Sequence, residues 1–328
     1  MRQILKSREV LLVGVILALL ALIASRFPAF IRPENLVGVF TDTSPLIILA
    51  LGQAVVILTR CINLSVASNL ALTGMVCAML NVAFPGMPIA VILVVAVSLG
   101  ALLGAFNGIL VWKLDIPPIV VTLGTLTIYR GLIFVISDGA WVNAHEMSAA
   151  FTGVPRAEIL GLPVMAWLAV LATAVLLVVV ARTPLGRAFY AVGGNPHAAV
   201  YTGLNVGRTQ FWAFVISGAL AGLTGYLWVA RYSVAYVDIA RGFELEVVAA
   251  CVIGGIAIAG GAGTAIGAVL GAIFLGVIKN ALPVVNISPF WQLAISGAAI
   301  VIAVTFNARA ARAKGRLILK RAEQEAQA

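Results

Sequence analysis

The sequence predicts an all-α polytopic membrane protein with about ten transmembrane helices and both termini in the cytoplasm. Between Arg60 and Lys113 the chain runs for 52 residues, Cys61 to Trp112, without a charged side chain or histidine. One bilayer crossing takes roughly 20 apolar residues, so this tract is two helices, broken at Pro85-Gly86-Met87-Pro88. Hydrophobic residues make up 62 % of the chain and charged ones 10 %, with mean hydropathy +1.11. A soluble enzyme would carry about 25 % charge. Two more uncharged tracts follow, Val247 to Ile278 and Asn280 to Ala308.

The spans then follow in order. Val10 to Ala24 comes after Arg2, Lys6 and Arg8 and has the look of a signal-peptide core. The cleavage site after it is weak, so it reads as a first spanning helix. Thr43 to Leu58, Val66 to Phe84, Pro88 to Trp112 and Pro118 to Ser137 come next. Pro163 to Ala181, Phe211 to Ala230, Val247 to Ala259, Thr264 to Ile278 and Pro289 to Phe306 complete the set. Thr43 to Leu58 and Val247 to Ala259 are short, which suits tilted, broken or re-entrant segments. With the N-terminus inside, fourteen Lys and Arg fall on the cytoplasmic side and six outside, while eight of twelve acidic residues lie outside.

The net charge of +9 is therefore explained by insertion and by anionic lipid, with no call on nucleic acid. Residues 1–307 read as one transmembrane domain and 308–328 as a basic cytoplasmic tail, in which Arg309 to Arg321 form a partly amphipathic helix facing membrane lipid. Trp112, Trp167, Trp212, Trp228 and Trp291 fall near span ends, where an indole sits at the headgroups. Cys61, Cys77 and Cys251 lie in or beside apolar tracts and read as small buried residues, not a disulfide framework.

Enzymatic chemistry finds no constellation. The two histidines, His145 and His197, lie in loops on opposite sides of the membrane, and no cluster has metal-ligand spacing. No phosphate-binding Gly-x-x-x-x-Gly-Lys-Ser/Thr loop occurs, so no cofactor is expected and any ATP must be bound by another subunit. No Asp or Glu falls mid-span, which disfavours proton- or sodium-coupled transport. Candidates for a solute path are Asn63, Ser65, Ser68, Asn69, Asn107, Thr122, Thr125 and Arg130. Hydroxyls and amides can pass a neutral polar solute without an ionic trap; they can equally join helices to one another. Arg130 lies seven residues, about 10 Å, from the end of its span, so it either snorkels outward, pairs helices or lines the path. Glycines spaced by four at Gly100 and Gly104, Gly218 and Gly222, and Gly267 and Gly271 predict close helix contacts.

The loop from Arg182 to Arg208 is longer than a connector needs. Thr183-Pro184 is a cap followed by proline at the first helical position, and Gly193-Gly194 is a stop. Asn195-Pro196 repeats the start and Gly203 the stop. Two short capped helices carrying Phe189, Tyr190 and Tyr201 thus form a folded element suited to docking on a protein. A transport-like core with no motor calls for an ATPase partner.

Three segments resemble the permease subunits of bacterial ABC sugar importers of the ribose/xylose/arabinose type. They are Thr183-Pro184-x-Gly186-Arg187 with Gly194-Asn195-Pro196, Ile116 to Thr125 (IPPIVVTLGT), and Ala249 to Gly255 with Gly260-Gly261. The likeness is collinear over nearly the whole chain. The family pattern Thr-Gly-Gly-Ile-Asp-Leu-Ser-Val-Gly-Ser appears here as Thr59-Arg60-Cys61-Ile62-Asn63-Leu64-Ser65-Val66-Ala67-Ser68, with amide in place of carboxylate. Thr59-Arg60 and Tyr129-Arg130-Gly131 are more similar to the rhamnose and autoinducer-2 branches, in which two different permeases pair. The resemblance implies a type II importer-like fold in a bacterial inner membrane. It implies a second permease, identical or paralogous, a cytosolic ABC ATPase subunit and a periplasmic sugar-binding protein. Coupling to the ATPase would fall to Thr183, Pro184, Gly186, Arg187, Phe189, Tyr190, Gly194, Asn195 and Pro196. The competing expectation is a motor-independent carrier or channel for small neutral solutes.

Overall fold

A computed structural model describes residues 8–284 together with Trp291, Ala294, Gly297 and Ala298, all four helical. The predicted span Pro289 to Phe306 otherwise lies outside the described residues, as does the basic tail. Among the described residues, eight helices are long and apolar enough to cross a bilayer. They are α1 (Arg8–Arg26), α2 (Pro33–Leu58), α3 (Val66–Ala83), α4 (Ile89–Lys113), α5 (Pro118–Ser137), α7 (Val164–Arg182), α10 (Val206–Tyr232) and α12 (Ala265–Val284). Short elements join them: α6 (Ala149–Gly153), α8 (Pro184–Gly194), α9 (Pro196–Tyr201) and α11 (Phe243–Ile253). Two-residue strands complete the set: β1 (Val142–Asn143), β2 (Glu158–Ile159), β3 (Leu162–Pro163) and β4 (Val234–Ala235).

Two spans depart from the expectation. The second begins at Pro33, ten residues before Thr43, so Asp42 and Pro45 lie inside the helix. Proline at the first turn suits a helix start. Within the helix the hydroxyls of Thr41, Thr43 and Ser44 donate back to the carbonyls of Val37, Val39 and Phe40. Every residue from Thr43 to Leu58 is buried, which makes α2 a central post of the bundle. The span predicted over Val247 to Ala259 is a broken one. Its helix α11 has 11 residues, about 16 Å at the helical rise, roughly half of a ~30 Å apolar core. Turns carry the remainder, and their amides are satisfied inside the protein: Gly255 N donates to Val252 O, Ile256 N to Cys251 O, Ala257 N to Ala262 O and Gly261 N to Leu58 O. Irregular backbone survives at membrane depth only where protein supplies such partners.

The glycine pairs sit where helices touch. On α4, a Cβ at Gly100 would strike the Gly218 carbonyl and one at Gly104 the Phe214 carbonyl of α10; Gly218 and Gly222 face α4 in return. Gly267 and Gly271 of α12 meet Gly254 and Ala250 at the end of α11. α10 is thereby the second post, packed on α4, α3 and α2. The three cysteines are free and buried. Segments that the charge map puts on one side also meet there. Thr264 donates to Glu9 (3.0 Å), and Leu58, Gly193 and Gly261 converge. On the other side, Arg156 donates to the Arg231 carbonyl and the Ser233 hydroxyl, and β1 pairs with β4.

Candidate functional site

The Arg182 to Arg208 loop folds as its caps dictate. Thr183 Oγ1 accepts from Gly186 N at 3.1 Å to open α8, and Asn195 Oδ1 accepts from Ala198 N at 3.1 Å to open α9. Gly203, at φ +81°, ends α9. α8 lies on the membrane core. Phe189 is completely buried, and Tyr190 donates its hydroxyl to Gly263 O at 2.9 Å, with burial pushing its phenol above the usual tyrosine range. The apolar surface left open to solution belongs to α9: Tyr201 is 92 % exposed and Val200 59 %. Of the aromatic residues noted in the loop, two thus anchor it and one faces out. Val200 was missed, because only the fold separates the outer face of α9 from Ala199, which is buried.

The loop is held to the core at a three-way junction. α2 ends in a Schellman turn, with Arg60 N donating to Ile57 O (2.9 Å) and Cys61 N to Val56 O (3.2 Å). That turn needs a left-handed residue at position 60, and Arg60 has φ +66°. Glycine takes this conformation freely; an L-residue gives up about 1–2 kcal/mol. In return the guanidinium reaches the end of α8. Nε donates to Gly193 O at 2.7 Å and Nη2 to Gly194 O at 2.9 Å. A cation on the last carbonyls of a helix is favourable electrostatically as well. Gly260 and Gly261 complete the junction, both with positive φ and each without room for a Cβ, against Arg60 and Gly194 respectively.

Just beyond the junction, the predicted path residues form a closed network. Asn63, Ser65, Ser68, Asn69, Asn107, Thr122 and Thr125 are each at most 2 % exposed. Asn63 Nδ2 donates to Ser217 Oγ (3.1 Å), and its Oδ1 accepts from Ser65 N (3.1 Å) and Ser65 Oγ (2.8 Å). Asn107 Nδ2 donates to Ser65 Oγ (2.8 Å) and Asn69 Nδ2 to Gly100 O (3.1 Å). Thr122 has nearby acceptors in Pro118 O of its own helix (3.0 Å) and Ile62 O (3.2 Å), while Ser68 donates to the cap residue Ser65 and Thr125 to Thr122 of its own helix. Tyr129, noted in the sequence only within the Tyr129-Arg130-Gly131 motif, donates to Leu103 O at 2.8 Å from α5. These groups join α3, α4, α5 and α10. Asn69 keeps one unused group, its Oδ1, buried with no partner. An Asn63→Leu variant is expected to lose about 1–3 kcal/mol by stranding Ser65 N and Ser217 Oγ. A thermal melt in detergent checks it; a residue that merely lined a path would leave the melt unchanged.

Arg130 stands apart from this network. Its Nη1 donates to Val237 O (2.5 Å) and Ile239 O (2.7 Å), tying α5 to the loop after β4. Above it Trp141 stacks on Tyr236, with centroids 4.6 Å apart.

Two carboxylates that the sequence placed outside the spans lie within helices. Asp42 of α2 pairs with Arg231 of α10 at 2.9 Å, and Glu246 of α11 with Lys279 of α12 at 2.8 Å. Each is paired with a cation, as a carboxylate on a spanning helix needs to be. Beside them lies a cleft of about 230 Å³ lined by Asp42, Thr43, Tyr232, Phe243, Lys279 and Asn280. A second cavity of about 560 Å³ shares Asp42 and Asn280 and runs along α2 past Asn35 and Glu34 to Arg26.

Comparison with known proteins agrees with this architecture. Residues 35–304 match the family described as branched-chain amino acid transport system / permease component. The autoinducer 2 import system permease protein of Enterobacter sp. (strain 638) is 38 % identical over 317 residues, 94 % of this chain and 89 % of that protein. The ribose import permease protein of Haemophilus influenzae is 33 % identical over 291 residues, 88 % of this chain and 90 % of the relative. The galactose/methyl galactoside import permease protein of Escherichia coli (strain K12) is 34 % identical over 310 residues, 89 % of this chain and 92 % of its own length. No solved structure matches. A bundle of spanning helices, a folded loop clamped to it and a match to import permeases over most of its length make this chain a member of the branched-chain amino acid transport system / permease component family, a multi-pass inner-membrane permease subunit of an ABC importer and not an enzyme.

Proposed function

We propose that this permease carries a neutral monosaccharide or a related polyhydroxyl solute, driven by a separate cytosolic ATPase that docks on α9. The observation that carries the reading is the division of labour in the loop. Phe189, Tyr190 and Gly193 fasten it to the membrane core, while Val200 and Tyr201 are left to a partner. A motor-free carrier has no use for an apolar, doubly capped element presented to solution. The solute class rests on two supports. Relatives are named for ribose and galactose import. The outer cleft offers its charges already paired, so a neutral polyol can exchange hydrogen bonds there, whereas a charged solute would have to break an ion pair.

In this reading a periplasmic binding protein delivers the solute, and a second permease, identical or paralogous, forms the other wall of the path. Asn63, Ser65, Ser68, Asn69, Asn107, Thr122 and Thr125 set the helix positions that open and close it, and Asn69 Oδ1 is the one buried side-chain oxygen among them with no hydrogen-bond partner. The test is uptake of labelled ribose, galactose and rhamnose into proteoliposomes holding the complex purified from native membranes. Uptake that needs both enclosed ATP and added binding protein is the expected result. Uptake by this chain alone, without nucleotide, would overturn the proposal in favour of a carrier.

A further inference from the structure

We infer that Arg60 is a positioning residue that makes the ATPase-docking loop and the membrane core move as one, a role that rests on the importer reading above. Several observations converge on it. Arg60 occupies a left-handed position, φ +66°, which glycine would take without strain, and the turn itself needs no side chain. What the side chain adds is a reach across 133 residues of sequence to Gly193 O and Gly194 O, the final carbonyls of α8. α9 starts immediately after, capped by Asn195, so a push on α9 arrives at those same carbonyls.

The other end of the lever is equally defined. Arg60 is the second residue beyond α2, and three residues later Asn63 enters the buried network through Ser65 and Ser217. Gln210 on α10 donates to Thr59 O from the far side (3.3 Å), so the turn is gripped by α10 as well. The broken span joins at the same point. Gly261 N donates to Leu58 O (3.0 Å), and Arg60 Cγ fills the space a Cβ at Gly260 would need. Displacement of α8 is therefore delivered to α2, to the Asn63 turn and to the irregular half of the α11 crossing through this guanidinium, beside the packing of Gly193 on Leu58 and Gly261. Without it, α8 still rests on the core through Phe189, Tyr190 and the packing of Gly193 against Leu58, but it loses both hydrogen bonds to the turn that follows α2.

Arg60→Gly is the discriminating variant, because glycine suits the left-handed turn and leaves the fold intact while removing both bonds. Arg60→Lys keeps the charge but replaces the two-point fork with a single point of attachment. In proteoliposomes containing the whole importer, solute imported per ATP hydrolysed is expected to fall at least fivefold in Arg60→Gly and by less in Arg60→Lys. The ATPase should still co-purify with both, and the thermal melt of Arg60→Gly should stay within a few degrees of the parent. An Arg60→Gly complex that transports with the parent's stoichiometry would overturn the assignment. So would equal losses in stoichiometry and melting temperature in both variants, since that marks a structural role only. Failure of the unsubstituted chain to retain any ATPase is a separate result, and it counts against the importer reading itself.

Discussion

Val200→Asp combined with Tyr201→Ala is expected to weaken capture of the ATPase by about 30-fold or more and to abolish solute import. An exposed tyrosine on a rigid helix is the kind of side chain that carries a large share of an interface, and truncating such a residue costs about 2 kcal/mol or more. An aspartate at the neighbouring position adds a desolvation penalty. The double change leaves the loop's own structure alone. Both side chains point away from the protein, and α9 is held by the Asn195 cap and by Ala199, which is buried. Pull-down of the ATPase from native membranes, read beside a thermal melt, checks it. Retention of the ATPase by the double variant would remove α9 from the interface. Phe189→Ala should behave differently. Its ring is fully buried, so the loss is one of core packing, about 3–5 kcal/mol, and the melt should fall with the pull-down.

Gly218→Val should largely abolish accumulation of the folded permease. A Cβ at this position would collide with the Gly100 carbonyl and approach Gly104 Cα to 2.8 Å. Both obstacles are backbone, so no side chain can swing aside and α4 must move away from α10. Overpacking costs about 1–3 kcal/mol even where neighbours can yield. Here the displacement also strips contacts from helices whose association in lipid depends on close packing. Yield in membranes and the melt of any recovered protein measure the effect. Gly124→Ala is the matched control. It lies on the open face of α5 with nothing within 4 Å of the added carbon and should be tolerated. Similar yields from the two variants would show that the α4–α10 contact is not what holds the bundle.

Much of this molecule is legible in its sequence. Pro118–Ser137 was placed to the residue, because it is bounded by proline at one end and ends just before Asp138 and Gly139. The two loop helices were readable from Thr183-Pro184 and Asn195-Pro196, since a cap satisfies backbone donors within three residues of itself. The glycine pairs announced close contacts without naming partners. The start of α2 was missed because Glu34 and Asp42 interrupt its hydropathy, and the carboxylate of Asp42 becomes acceptable only once Arg231 is beside it. Helix α11 was overextended because Gly254 and Gly255 are apolar in any hydropathy sum, while the backbone there turns away from the helix.

From the sequence by itself came the membrane class, the bounds of most crossings and the capped loop. All of these depend on composition or on interactions a few residues long. The tertiary structure alone decided which polar groups meet. Arg60 with Gly193, Asn63 with Ser217 and Arg231 with Asp42 are separated by 133, 154 and 189 residues, and no local propensity encodes such pairs. It also turned Phe189 and Tyr190 inward and Tyr201 outward. An amphipathic segment shows in its pattern that one face will be buried; what lies against that face is set by the packing of α2, α10 and the broken crossing around it.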